Sequence, residues 1–216
     1  MLIRSLTFSF VTSKAAALSL TTKSAALKPL ILLDVDGVIS GSNGGNKAYW
    51  KDVKHKTFDG YSIYYSPTVI TKINQWSQVA EIRWLTSWDE KARTMIAPAL
   101  GINEFELARD PALDLRKDQA AFNCIQMTPS RPLIWIDKLV LYYTENPKAP
   151  VPASFWKSRD RTLLIASSEG AGLTPYHLEK IDAFLADTPR EVDNFSACEL
   201  FVNSMPINMY TYELSY

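Results

Sequence analysis

The sequence predicts an α/β fold, a parallel β-sheet with helices on both faces, and three observations predict it. Four short runs rich in Leu, Ile and Trp stand at residues 30–33, 81–86, 132–136 and 162–166; the first and third are uninterrupted, as in strands buried on both faces. The stretches between them place apolar residues at helical spacing. At 216 residues, 47% hydrophobic and 12% aromatic, the chain has the length and apolar content for one core of ordinary size.

Leu30, Ile31, Leu32 and Leu33 form the first strand, which breaks at once into Asp34-Val35-Asp36-Gly37. Two carboxylates at i, i+2 face the same side if the strand continues. If it stops, both sit at its carboxyl end, where open α/β sheets bind ligands. In an apolar setting they repel unless a cation or a shared proton offsets the charge, so the pair costs stability and points to function.

Residues 40–46 are a loop by composition. Two short strands follow at 50–57 and 61–65 around Asp59-Gly60, a hairpin turn signal, and residues 47–66 are predicted to form a small flap. Ser66-Pro67 reads as an N-cap with proline at the first helical position, opening a helix through Val69, Ile70, Ile73 and Trp76 to about Ser77. The second strand, 81–86, ends on Thr86-Ser87. Asp89 is expected to cap a helix that runs to Leu100 and stops at Gly101.

Residues 105–108 suit a short edge strand. Lys117 opens a helix through Ala120, Ala121, Cys124 and Ile125 that stops before Pro129. The third strand ends on Asp137, Pro147, Pro150 and Pro152 mark a loop, and the fourth strand follows at 162–166. Thr174-Pro175 starts a last amphipathic helix through Leu178, Ile181, Phe184 and Leu185. The result is a Rossmann-like domain over residues 29–187, with extensions at 1–28 and 188–216. Right-handed crossovers bring the carboxyl ends of all strands to one rim, and that rim gathers Asp34, Asp36, Thr86 and Asp137.

Composition removes several classes of function. Zero formal charge supplies no global field toward nucleic acid or membrane. Cys124 and Cys198 cannot make a disulfide framework and stand in no zinc-binding spacing; Cys124 reads as a core residue. No window of 18 apolar residues exists to span a bilayer. Residues 1–28 hold no Asp or Glu, carry Arg4, Lys14, Lys23 and Lys28, and are rich in Ser, Thr and Ala. Two readings stay open: an organellar transit peptide, or a plain extension of a cytoplasmic protein. The sequence carries no signal for an oligomeric state.

Three carboxylates on one rim suggest a hard cation with oxygen ligands, with Mg²⁺ the natural choice because it keeps waters for a substrate phosphate. Thr86, its neighbour Ser87 and the helix start beyond them are placed to hold an anionic oxygen. Lys117 could bring its ammonium to the same point. A carboxylate approaching a phosphate dianion meets repulsion of roughly 4 kcal/mol per charge pair in a partly shielded site, and only neighbouring positive charge cancels it.

Leu33-Asp34-Val35-Asp36-Gly37-Val38, Thr86 after an apolar strand, Lys117, and Ile134-Trp135-Ile136-Asp137 resemble the four ordered motifs of the haloacid dehalogenase-like (HAD-like) hydrolase superfamily. Trp84-Leu85-Thr86-Ser87-Trp88, the run 132–137 and Gly172-Leu173-Thr174-Pro175 with His177-Leu178 resemble one branch, the domain of Swiss Army Knife RNA repair proteins. The resemblance covers roughly residues 29–187.

It implies a phosphatase acting on a small phosphorylated substrate or a nucleic-acid end. Asp34 would be the nucleophile, forming an aspartyl-phosphate. Asp36 would protonate the leaving oxygen, then activate water, and its backbone carbonyl would ligate Mg²⁺. Thr86, Ser87 and Lys117 would hold phosphoryl oxygens, and Asp137 would anchor the metal. An acid at position 36 favours phosphatase over dehalogenase chemistry.

One departure stands out: the branch has a second acid after the fourth-motif aspartate, and this chain has Lys138. Unless that lysine turns outward into water, it repels a nearby metal, and a catalytically silent scaffold is the alternative. The remaining candidates have ordinary readings. His177 is expected on a solvated helix face. His55, among Lys51, Lys54 and Lys56, is expected on a solvated strand face, with base stacking as the functional option. Trp84, Trp88 and Trp135 are expected to pack in the core and rim.

Overall fold

A computed structural model describes residues 28–187 apart from 114, 129–130, 147, 150 and 152–160. The two predicted extensions, except Lys28, lie outside the described residues, as do Pro129 and the prolines at 147, 150 and 152.

Five parallel strands form the sheet: β1 (Leu30–Leu33), β4 (Glu81–Trp84), β5 (Glu106–Leu107), β6 (Leu133–Ile136) and β7 (Thr162–Ile165). Their spatial order is β5-β4-β1-β6-β7. The chain thus builds outward from β1 to one edge, then returns and builds toward the other. The order reverses between β1 and β6, and a crevice opens at such a switch point beyond the strand ends. In register, Leu33 pairs with Trp84 on one side and Ile136 on the other, so residues 34, 85 and 137 leave the sheet together.

Successive strand residues face opposite sides, which explains why β1 is apolar throughout. Ile31 and Leu33 pack with α1 (Pro67–Val79) and α5 (Pro175–Asp187) through Ile70, Ile73, Trp76, Leu178 and Ile181. Leu30 and Leu32 pack on the other face with Ala120, Ala121 and Ile125 of α3 (Lys117–Met127) and Val140 and Tyr143 of α4 (Leu139–Glu145). Helices cover both faces, as the strand composition requires.

The predicted hairpin exists as β2 (Lys54–Phe58) and β3 (Tyr61–Tyr65), shorter at its start than expected. Its turn residues Asp59 (φ 48°) and Gly60 (φ 82°) are both left-handed, the pairing that matches strand twist. Ser66 caps α1 as predicted, accepting from Val69 N. Asp52 reinforces that start, accepting from Ser66 Oγ at 2.6 Å and from Thr68 N at 2.9 Å.

Five points differ from the sequence reading. The loop at 40–46 contains a 3₁₀ segment, Ser42–Ala48. Asp89 does not cap the next helix: its backbone is left-handed (φ 45°) and its carboxylate pairs with Arg109 at 2.7 Å. That helix is a wide π turn, Ala92–Ile96, running into α2 (Ala97–Leu100), with Gly101 stopping it as predicted. Helix α4 was not foreseen. His177 is buried rather than solvated: Thr174 N donates to its Nδ1 at 3.0 Å, so it caps α5, and burial pulls its pKa down to about 4.

Two glycines separate strain from crowding. A Cβ at Gly60 would meet nothing within 4 Å, whereas at Gly172 (φ 64°) it would lie 2.7 Å from the Val38 carbonyl oxygen. Gly60→Ala should therefore cost only the left-handed penalty, about 1 kcal/mol. Gly172→Ala should cost clearly more in urea denaturation; equal costs would contradict the packing of residues 168–173 on the Asp34–Val38 turn.

Candidate active site

Asp34 is the first residue past β1 and is 1% exposed. Its Oδ1 accepts from Val35 N at 2.7 Å, and its Oδ2 accepts from Lys117 Nζ at 2.6 Å. Lys117 is the first residue of α3, so the helix start carries its ammonium over the rim. The same Nζ lies 3.0 Å from Asp137 Oδ2, beyond the end of β6, without hydrogen-bond alignment. The two carboxylate oxygens are thus no farther apart than the sum of those two contacts. Asp137 is fully buried, and its Oδ1 accepts from Leu139 N at 2.9 Å, starting α4.

Asp36 sits apart from this trio. Trp88 Nε1 donates to its Oδ2 at 2.9 Å, so Trp88 is a direct partner of a candidate acid rather than rim packing alone. Thr86 is buried, and its hydroxyl accepts weakly from Trp88 N at 3.3 Å, which leaves its proton for an anionic oxygen. Ser87 lines a cavity of about 610 Å³ with Asp36, Tyr61 and Trp88. The hairpin tip reaches this cavity: Tyr61 packs edge-on to Trp88, with ring centres 5.6 Å apart, and Asp59 pairs with Lys91 at 2.7 Å. Of the predicted set, Asp34, Lys117 and Asp137 meet directly, while Asp36 and Ser87 meet at the cavity and Thr86 joins them through the Trp88 turn. His55 stacks on Tyr64 and lies outside the cavity lining.

Lys138 turns toward Glu169, with Nζ 3.2 Å from Oε1. Its stem lies beside the Gly37 turn, 3.4 Å from where a Cβ there would stand, and its charge still acts on Asp36.

The electrostatics follow from burial with too little positive charge. Burial and then Asp34 push the Asp137 pKa up to about 6, against the opposing pull of Lys117. Burial alone would lower the Lys117 pKa, but Asp34 and Asp137 outweigh it and the net direction is up. Burial and Asp34 also raise Asp36, with Trp88 and Lys138 opposing. Two buried carboxylates, Asp34 and Asp137, share one ammonium with Asp36 nearby, and Asp137 Oδ2 is a buried acceptor with unused capacity.

That chemistry fits a hard divalent cation. Among the described residues no group of three His, Cys, Asp or Glu side chains is gathered tightly enough to hold a metal alone. Mg²⁺ does not need such a cage, since it takes one or two carboxylates and completes its shell with waters and phosphate oxygens.

Sequence reasoning missed the support behind Lys117. Its neighbour Asp118 is buried and accepts from Arg116 Nη2 at 2.8 Å, from Gln119 N at 3.0 Å and from the Tyr143 hydroxyl. Those hydrogen bonds overcome burial and hold the Asp118 carboxyl below its usual pKa. Tyr143 belongs to α4, so the contact ties the helix that carries Lys117 to the helix that follows Asp137. A buried acid one position after a helix-start lysine has no mark in sequence that separates it from a solvated one.

No protein-family model matches the chain, and no curated protein matches it. One solved structure, of a provisionally named 3-deoxy-D-manno-octulosonate 8-phosphate phosphatase from Vibrio cholerae, aligns at 16% identity over 79% of this chain and 89% of that one, with a TM-score of 0.37. An overlap that loose carries no argument about this chain.

Lys117→Met leaves two buried carboxylates without their cation, a loss of about 3 kcal/mol. Asp137, already raised to about 6, then loses the pull of Lys117 and gains a proton still more readily folded than unfolded. The loss should therefore be small near pH 4 and grow as pH rises through about 6, in urea titrations with chelator present. A loss independent of pH would contradict the shared ion pair.

Proposed function

We propose that this protein is a Mg²⁺-dependent phosphatase that hydrolyses a phosphate monoester through an aspartyl-phosphate, as the HAD-like resemblance implies. The observation that carries the reading is the meeting of Asp34 and Asp137, about a hundred residues apart in sequence, on one ammonium at the sheet's switch point.

In this reading Asp34, fixed by Val35 N and Lys117, attacks phosphorus with one carboxylate oxygen as the bond to the leaving oxygen breaks. Asp36 gives its proton to that oxygen; burial raises its pKa, which suits an acid at neutral pH. Water then attacks phosphorus while Asp36 takes its proton, and the bond to Asp34 breaks to release phosphate. Lys117 and the Thr86 hydroxyl hold phosphoryl oxygens, with Ser87 beside them. Asp34, Asp137 and the Asp36 backbone carbonyl would hold Mg²⁺, which supplies positive charge against the phosphoryl oxygens.

The rival reading is a silent scaffold with Lys138 weakening the metal site; the Lys138–Glu169 pair offsets part of that charge. The finer reading carried by the RNA-repair branch, a nucleic-acid end as substrate, finds no supporting charge. Lys91 and Arg109 near the cavity are each paired with a carboxylate. Among the described residues no helix is long and apolar enough to cross a membrane.

The test is turnover of phenyl phosphate with and without Mg²⁺. Wild type should require the metal, and Asp34→Asn should lose measurable turnover. Asp36→Asn should fall roughly 10²–10⁴-fold. Metal-independent turnover, or activity surviving in Asp34→Asn, would overturn the proposal.

A further inference from the structure

The cavity beside Asp36 has a composition that the hydrolysis scheme does not use. We infer that it binds the leaving group of the substrate, and that this group carries a planar, uncharged ring with hydrogen-bond donors, as in a nucleoside monophosphate. The inference rests on the phosphatase reading for its orientation. Asp36, the proton donor to the leaving oxygen, lines the cavity, while the nucleophile Asp34 is buried outside the lining. Whatever occupies the cavity is therefore on the leaving side of the phosphorus.

Shape and charge then restrict the occupant. Tyr61 and Trp88 meet at 78°, so two ring faces form a corner at the cavity wall. Tyr61 is 67% exposed, so its ring is open to a flat group in the cavity. The hairpin is held in place rather than free to swing: Asp59 pairs with Lys91, and Lys56 donates to the Ala99 carbonyl. A volume of about 610 Å³ admits a nucleoside-sized group.

The charged lining residues are Asp36, Asp89, Glu90 and Lys91. Lys91 is paired with Asp59, Asp89 with Arg109 and Glu90 with Arg93, so the lining offers no unpaired cation to a second anionic group on the substrate. The carboxylates accept hydrogen bonds from amine or hydroxyl groups on the ring. This selects a monophosphate over a bisphosphate or the end of a nucleic-acid chain, whose further phosphates would find no unpaired cation in the lining.

The experiment compares adenosine 5′-monophosphate, ribose 5-phosphate and adenosine 3′,5′-bisphosphate as substrates of the full chain, with adenosine binding measured by calorimetry. The monophosphate should exceed ribose 5-phosphate in kcat/KM by about tenfold or more, the scale of one stacked base, and should exceed the bisphosphate. Tyr61→Ala should bring the first ratio toward parity and weaken adenosine binding, while Tyr61→Phe should restore both. Equal kcat/KM for the monophosphate and ribose 5-phosphate, or a ratio unmoved by Tyr61→Ala, overturns the inference. If no ester is hydrolysed, the phosphatase reading has failed and calorimetry decides the cavity: Tyr61-dependent adenosine binding supports it, and no binding overturns it.

Discussion

The Lys117 ammonium between the Asp34 and Asp137 carboxylates is the contact on which the rest of the site depends. Each carboxylate is buried at the end of an interior strand, where an unpaired charge would cost several kcal/mol. Pairing both with one cation makes their burial tolerable yet leaves the cluster negative, and burial together with the neighbouring Asp34 raises the pKa of Asp137. In the proposed reaction Mg²⁺ would offset that remaining charge. The fold creates it by arithmetic of order: β1 lies between β4 and β6, so three segments far apart in sequence end side by side.

The supporting structure keeps that contact in place from behind. Asp118 binds Arg116, the Gln119 amide and Tyr143 at once, and Tyr143 stands on the helix that begins just after Asp137. The position of the ammonium is thereby set relative to both carboxylates it serves. On the solvent side, the hairpin tip and the Ser87–Lys91 turn line the cavity that Asp36 faces, with Trp88 hydrogen-bonded to it. The buried trio and the aromatic cavity thus divide the site into a charged half, suited to a phosphoryl group, and a flatter half.

Much of this was legible because strand ends are easy to read. Uninterrupted apolar runs that break into Asp34 or Asp137 mark both a buried strand and its rim, and Asp59-Gly60 marks a hairpin through the φ values its turn demands. Lys117 could be placed at a helix start, but no pattern says where a lysine points; that came from the sheet order. Helix α4 escaped because its seven residues are too few to show a period. Trp88 and His177 were misread for one reason. Aromatic and histidine rings near an element boundary look like packing or solvated surface until a specific polar partner is known. For His177 a signal was present, since it stands three residues after the capping Thr174, where a side chain can reach back to the cap.

The central claim is that the carboxylate held by Lys117 is the one that bonds to phosphorus. Acid quench of the full chain during turnover of a radiolabelled phosphomonoester, followed by peptide mapping, tests it most directly. Label on the peptide that contains Asp34, lost on treatment with hydroxylamine, is the predicted result. Steady turnover with no label on the protein, or label on a peptide without Asp34, would contradict it.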